Sequence, residues 1–252
     1  MVCKLVRFYY GEHTPDGFSK VAFDDYEEIE ADLHETKLQQ EKIDYIRSDL
    51  WVFIVMKIHT SWSEYFGNIQ PRLDKRSESF EKIFKYLTDI KNPVIVETGT
   101  YREENNYKGD GCSTLLFDTF VDYHGGVVIS VDIDPKACEL AEENTIFAEV
   151  IESDSVEFLG ALEGKIDLLY LDSYNIENWH NDWAPAAHHL KELFAAKNCI
   201  KDGTLIVVDD NLIAPNGKRV GKGRLIYELM ESLGIEPYFD DYQVGWIWME
   251  AV

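Results

Sequence analysis

The rhythm of apolar and polar positions changes at about residue 93. From Asp24 to about Tyr65, apolar or aromatic residues (Ile29, Leu33, Leu38, Ile43, Ile46, Leu50, Phe53, Ile54) recur at helical spacing among many Glu, Asp and Lys. Gly67, Asn68 and Pro71 interrupt that pattern, and a further helix is expected from Ser77 to about Thr88. Val2–Tyr10 alternates loosely, as a strand would, and Thr14–Gly17 reads as a turn. Beyond Pro93, short β-branched runs alternate with helical patterns. Strands are expected at 94–97, 127–132, 147–152, 166–172 and 204–210, with helices between them. A helix over Lys222–Leu233, capped by Gly234, precedes a terminal strand pair in Pro237–Tyr242 and Val244–Met249. Such alternation implies a mostly parallel sheet with helices on both faces, an α/β fold of the Rossmann-like, doubly wound kind. Residues 93–252 are expected to form that domain. Residues 1–92 are expected to form a mainly helical extension that covers a sheet edge, mediates homodimerisation or closes as a lid.

Composition narrows the class. The 252 residues suffice for a substantial core, and 24 Lys and Arg stand against 47 Asp and Glu, a formal charge of −23. Such a field repels polyanions, so neither nucleic acid nor an anionic membrane surface is an expected partner. The four cysteines (Cys3, Cys112, Cys138, Cys199) are scattered, without a Cys-x-x-Cys pair, and read as reduced thiols. The N-terminal residues lack the pattern of a signal peptide, and the longest apolar run, Leu50–Met56, is too short to span a bilayer. A soluble, cytoplasmic protein is expected.

The stretch Pro93–Pro135 carries the first candidate chemistry. A short apolar run, Val94–Val96, leads to Glu97-Thr98-Gly99-Thr100; Gly111 opens a helical pattern over Cys112–Tyr123; a second apolar run ends on Asp132, 21 residues after Gly111. Strand, Gly loop, helix, strand and acid, in that order, suit a ligand gripped through its ribose hydroxyls. The loop is not Gly-x-Gly-x-x-Gly, and the carboxylate of Glu97 would repel a pyrophosphate. A nucleoside ligand with a cationic end fits better.

These residues resemble the class I S-adenosylmethionine-dependent methyltransferases, whose first motif is an acidic residue followed by x-Gly. The resemblance implies a seven-stranded sheet with its last strand antiparallel. It places Glu97, Gly99, Thr100, Gly111 and Ser113 along the methionine part of the cofactor, with Asp132 on the ribose and Ile133 beside it. Asp154 and Ser155, after the third strand, would meet the adenine, although Ser153, Asp154 and Ser155 equally suit the N-cap of a following helix.

A second cluster lies at the ends of the fourth and fifth strands. Asp172-Ser173-Tyr174 follows one, and Asp209-Asp210-Asn211 the other. Carboxylates and an amide oxygen without Cys or His suit a hard divalent cation such as Mg2+. Asp172 with Asp210-Asn211-x-Ile-x-Pro resembles the metal-dependent catechol-type O-methyltransferases, which implies Asp172, Asp210 and Asn211 as metal ligands and gives Asp172 a catalytic role. Asp209 either replaces Asp210 or points elsewhere. The lysine base of the catechol enzymes is replaced by Asn175, so the chain resembles the metal-dependent sugar O-methyltransferases at least as well. His180, in the loop Asn178–Trp183, is the candidate base. Ala187, Leu190 and Phe194 mark a buried helix face that would turn His188 outward and leave His189 on the flank. Tyr174 and the cationic segment Gly217–Arg224, with Lys218 and Lys222, are candidate contacts to an acidic group on a small-molecule or glycan acceptor. The expected reaction is methyl transfer from S-adenosylmethionine to a sugar hydroxyl. A catechol-like diol is the alternative acceptor, and a nucleoside-binding module without catalysis the alternative class.

Overall fold

The computed structural model describes residues 61–176 and 181–249. The strand expected at Val2–Tyr10, the helical pattern from Asp24 to Thr60 and the candidate base His180 lie outside the described residues.

Two helices come first, α1 (Trp62–Ile69) and α2 (Ser77–Thr88). Alternating elements follow: β1 (Val94–Thr98), α3 (Ser113–His124), β2 (Val127–Asp132), α4 (Pro135–Asn144), β3 (Ala148–Glu152), α5 (Ser155–Ala161) and β4 (Leu168–Leu171). The chain continues through α6 (Trp183–Ala195), β5 (Leu205–Val208), β6 (Asn211–Ile213), β7 (Arg219–Gly221), α7 (Arg224–Ser232), β8 (Phe239–Asp240) and β9 (Val244–Ile247). Seven strands form one sheet in the order β3-β2-β1-β4-β5-β9-β8, and β6 and β7 pair separately. Strands β1 to β5 run parallel, while β9 is antiparallel to both β5 and β8. This is the doubly wound sheet expected from the alternation, and its antiparallel end is the one the resemblance implies.

The core strands are buried on both faces, with successive side chains serving opposite layers. Ile95, Leu168, Tyr170, Leu205 and Val207 pack on one side with Phe66, Phe80, Phe84, Phe117 and Phe120 from α1, α2 and α3. Val96, Leu169, Leu171, Ile206 and Val208 pack on the other with Leu159, Leu193, Ile226 and Met230. Trp62 completes the first layer, its ring centroid 4.5 Å from Phe84 and 5.1 Å from Phe120. Each fully buried aromatic contributes roughly 1.5–3 kcal/mol. The described part of the extension is thus integral to the domain: the compact unit begins at Ser61, and the boundary expected at residue 92 falls inside it.

The strand order reverses between β1, which continues to β2, and β4, which continues to β5. At that switch point the connections that leave β1 and β4 lead to opposite halves of the sheet, and the cleft opens there. Gly99 sits at φ +82°, and a Cβ on it would lie 2.7 Å from the carbonyl oxygen of Asp172. Only glycine lets the two strand tips approach so closely.

Candidate active site

The cleft at the switch point is lined by Gly99, Thr100, Tyr101, Arg102, Asp110, Cys112, Ser113 and Asp172. Four of the residues expected at the cofactor, Gly99, Thr100, Ser113 and Asp172, therefore share one wall. Asp132, at the tip of β2, borders them. One of its carboxylate oxygens accepts a hydrogen bond from the Thr100 amide at 3.0 Å and the other from the Asp134 amide at 2.9 Å. Gly111 at φ +79° turns the chain into α3. Arg102 closes the rim: its guanidinium donates to Asp110 at 2.8 Å and to the side-chain oxygen of Asn175 at 2.5 Å.

Glu97, two residues before the cleft-lining Gly99, is fully buried and does not itself line the cleft. Its Oε2 accepts from the Thr114 and Ser130 hydroxyls, each at 2.6 Å, while Oε1 has no hydrogen-bond partner among the described residues. Burial pushes its carboxyl up to about 7, against the hydroxyls of Ser113, Ser130 and Thr114, which favour the charged form. A buried carboxylate oxygen without a partner, next to a cleft of hydroxyls and acids, suits a cationic ligand group.

The residues expected at the adenine stand at the neighbouring strand end and do not line this cleft. Asp154 caps α5, accepting from the Glu157 amide at 3.0 Å. Ser155 is buried, 3.1 Å from Nε2 of His188. Ile133 is 69% exposed, leaving an apolar face next to Asp132.

Two expectations on α6 are corrected. Phe194 is exposed, and the buried face carries Ala186, His189, Glu192 and Leu193. A polar pair occupies what reads in the sequence as a solvent face, because its partners are internal. Ser173 donates to Glu192 at 2.7 Å, and His189 Nδ1 lies 2.6 Å from the carbonyl oxygen of Pro185. His188 turns inward toward Ser155 and Glu192 rather than outward, and burial keeps His189 neutral, its imidazole lowered to about 4.

The strand tips expected to hold a metal ion do converge, but around a lysine. Lys222 is fully buried, and its ammonium donates to Asp172 Oδ1 at 2.5 Å, to the Asp172 carbonyl at 3.0 Å and to Asp210 Oδ2 at 3.0 Å. Arg76, from the turn before α2, is buried beside it and donates to Asp209 at 2.7 Å and to Asp210 at 3.2 Å. Asp209 is turned inward, where Tyr170 also donates to it at 2.9 Å. Asp210 faces the cleft side at φ +55° and takes a further hydrogen bond from Tyr242 at 2.6 Å. Asn211 is committed as well. Its amide nitrogen donates to the carbonyls of Val208 and Asp209, and its oxygen accepts from the Gly223 amide at 3.0 Å. Flipping that amide would set an NH2 group against an N–H donor, so its orientation is determined.

Electrostatics agree with the contacts at Asp210 and Lys222, while burial pushes the Asp172 carboxyl up against the pull of Lys222. Burial works against the charge of Asp210, but Lys222, Tyr242 and Arg76 hold its carboxyl down at about 2. Burial likewise opposes the charge on Lys222, and Asp172 and Asp210 overcome it and hold the ammonium above its usual range. Mg2+ requires near-octahedral oxygen donors at roughly 2.0–2.1 Å. Here the oxygens of Asp172, Asp210 and Asn211 already serve internal donors, and among the described residues no group of three or more His, Cys, Asp or Glu is arranged to hold a metal ion. The arrangement does not fit the expected ion. Lys222 is therefore no exposed contact for an acceptor. Lys218 is exposed, at the turn between β6 and β7, and Tyr174 is half exposed at φ +45°.

Arg76, Tyr170 and Tyr242 belong to this constellation, and Arg102 to the cleft rim, without having been legible in the sequence. Lys222 alone had a signal, the flanking glycines of Gly221-Lys222-Gly223.

Comparison with known proteins agrees with the fold. Residues 108–211 match the family model of a methyltransferase domain. No curated protein matches the chain at the level of sequence. Among solved structures, the chain is similar to CalS11, a TDP-rhamnose 3'-O-methyltransferase of calicheamicin biosynthesis, at 14% identity and a TM-score of 0.50, covering 86% of this chain and 97% of that one. The Podospora anserina methyltransferase PaMTH1 matches at 17% identity and a TM-score of 0.48, over 81% of this chain and 96% of that one. MycE of mycinamycin biosynthesis, solved with Mg and S-adenosylhomocysteine, matches at 15% identity and a TM-score of 0.47, over 70% of this chain. The present chain spans 54% of the MycE chain.

Proposed function

We propose that this methyltransferase domain binds S-adenosylmethionine in the cleft between β1 and β4 and transfers its methyl group to a hydroxyl oxygen of a sugar or glycan. The observation that supports the reading is the buried, half-satisfied carboxylate of Glu97, next in the chain to the cleft residues Gly99 and Thr100. It favours a ligand that presents a cationic group, as that cofactor does in its ammonium and its sulfonium. Asp132 would take the ribose hydroxyls, the exposed face of Ile133 would lie against the adenine, and Asp154 and Ser155 would bound it.

The transfer is a displacement at carbon. The acceptor oxygen forms a bond to the methyl group as the sulfur–methyl bond breaks, sulfur keeps the electron pair, and the acceptor proton leaves to a base. Oxygen, carbon and sulfur must be in line, with about 3–3.5 Å between the reacting atoms beforehand. His180 is the proposed base. A divalent cation at Asp172, Asp210 and Asn211 was expected to bind the acceptor oxygen. Those groups are instead engaged by Lys222, Arg76 and Gly223.

A sugar acceptor is favoured by the fold shared with CalS11, a sugar O-methyltransferase, and by the exposed Lys218, suited to an acidic group such as a sugar-linked phosphate. The catechol reading loses its base, since Asn175 stands in the lysine's place and is held by Arg102. Incubation with methyl-labelled S-adenosylmethionine and either a nucleotide-linked deoxysugar or a catechol tests this. Label is expected in the sugar. Label in the catechol alone would reassign the acceptor, and cofactor binding without transfer to any hydroxyl would favour a non-catalytic module.

A further inference from the structure

We infer that Lys222 is a resident cation that takes the place of a divalent metal between the tips of β4 and β5, so that the domain works without one. The inference concerns the ion site and does not depend on which acceptor is methylated.

Three observations carry it. First, the ammonium is saturated. Lys222 has three N–H donors and three oxygen partners, two from Asp172 and one from Asp210, at 2.5, 3.0 and 3.0 Å. It is fully buried, so withdrawing it would strand carboxylates in the interior.

Second, the backbone is shaped to deliver it. Gly221 sits at φ +114°, where a Cβ would lie 2.0 Å from the Asp210 carbonyl oxygen, and a Cβ on Gly223 would lie 2.4 Å from the Asn211 side-chain oxygen. A side chain at Gly221 would have to displace the backbone that follows β5, whereas one at Gly223 would displace the Asn211 side chain from its hydrogen bond. The Lys222 amide donates to the Asp210 carbonyl at 3.1 Å and the Gly223 amide to Asn211 at 3.0 Å. Each of the three groups that would coordinate a metal is therefore bonded to the Gly221–Gly223 segment.

Third, the charge matches. Lys222 and Arg76 bring two positive charges to Asp172, Asp209 and Asp210, the same charge a divalent ion would bring. Lys222 acts through Asp172, which lines the cleft. It is a positioning residue, holding that carboxylate and the two strand ends in a set relation.

Removal of the ammonium should expose a latent cation site. The test is direct binding of Mn2+, read by electron paramagnetic resonance of the free ion, to the full chain and to Lys222→Ala, Lys222→Met and Lys222→Arg. The unaltered protein and Lys222→Arg are expected to bind no Mn2+ at about 1 mM. Lys222→Ala or Lys222→Met is expected to bind one equivalent at least tenfold more tightly, and Asp172→Asn in that background should remove it. A merely structural lysine would not produce this gain. Binding of one Mn2+ by the unaltered protein, lost on Asp172→Asn, would overturn the inference even if neither lysine variant folded. Folded variants that bind no better than the parent would overturn it as well. S-adenosylhomocysteine binding, measured by calorimetry in the presence of chelator, reports separately on the cofactor site. It should be unchanged by the chelator, and its absence would count against the methyltransferase reading instead.

Discussion

Glu97 is the residue on which the cofactor reading turns, and its environment sets a testable sign. Burial holds its carboxyl at about 7 in the folded protein, above the 4.5 of an exposed group. Between those two values the folded chain keeps a proton that the unfolded chain has released. Its contribution to stability is therefore greatest below about 4.5 and is lost as pH rises through 7. A cation placed at its free oxygen reverses the preference, because the ligand favours the ionised form. Affinity for S-adenosylmethionine should fall as pH drops from 8 to 6, and Glu97→Gln should flatten that dependence. Calorimetry across that range checks it, and an unchanged slope in the variant would remove Glu97 from the site. The carboxylate at the end of β1 and the acid ending β2 were legible in the sequence because each terminates a short apolar run. Arg76 was not. It lies in a polar turn before α2, and nothing local marks a guanidinium that will be buried against Asp209, 133 residues away in the chain but adjacent in space.

At the scale of elements, the strands were readable because double-sided burial demands unbroken apolar runs, as in Leu168–Leu171 and Leu205–Val208. The β6–β7 hairpin was not. Asn211–Ile213 is partly exposed and follows the acids of the β5 tip, and β7 ends on a glycine, so neither strand carries the expected alternation. The hairpin nevertheless determines the site, since it returns the chain to place Lys222 over Asp172. Two of its glycines separate conformational strain from steric fit. Gly217 is at φ +77° with nothing near its Cβ position, whereas Gly221 is at φ +114° against the Asp210 carbonyl. Gly217→Ala should cost about 1 kcal/mol, and Gly221→Ala about 3 kcal/mol or more, with loss of the Lys222 contacts. Urea unfolding of the two variants checks the difference. Equal costs would mean that the backbone at Gly221 is free to move aside.

The whole molecule joins an acidic surface to a densely ion-paired interior. Its charge of −23 disfavours polyanionic partners, and no helix among the described residues is long and apolar enough to cross a membrane. The resemblance in sequence was enough to anticipate the seven-stranded sheet and the place of the cleft, since both follow from strand order. It did not anticipate Lys222 between the tips of β4 and β5, because the identity of two strand-tip acids says nothing of what a distant hairpin inserts between them. Several independent features lie at or next to one cleft: the switch point, the glycine at 99, the buried carboxyl of Glu97 and the carboxylate of Asp132. That the cleft binds S-adenosylmethionine is the central claim, and equilibrium binding to the full chain and to Asp132→Ala tests it most directly. One equivalent should bind, and loss of the ribose contacts should weaken affinity about 10- to 100-fold, the worth of hydrogen bonds to a charged group. No binding to the unaltered chain, or equal binding to the variant, would contradict the account.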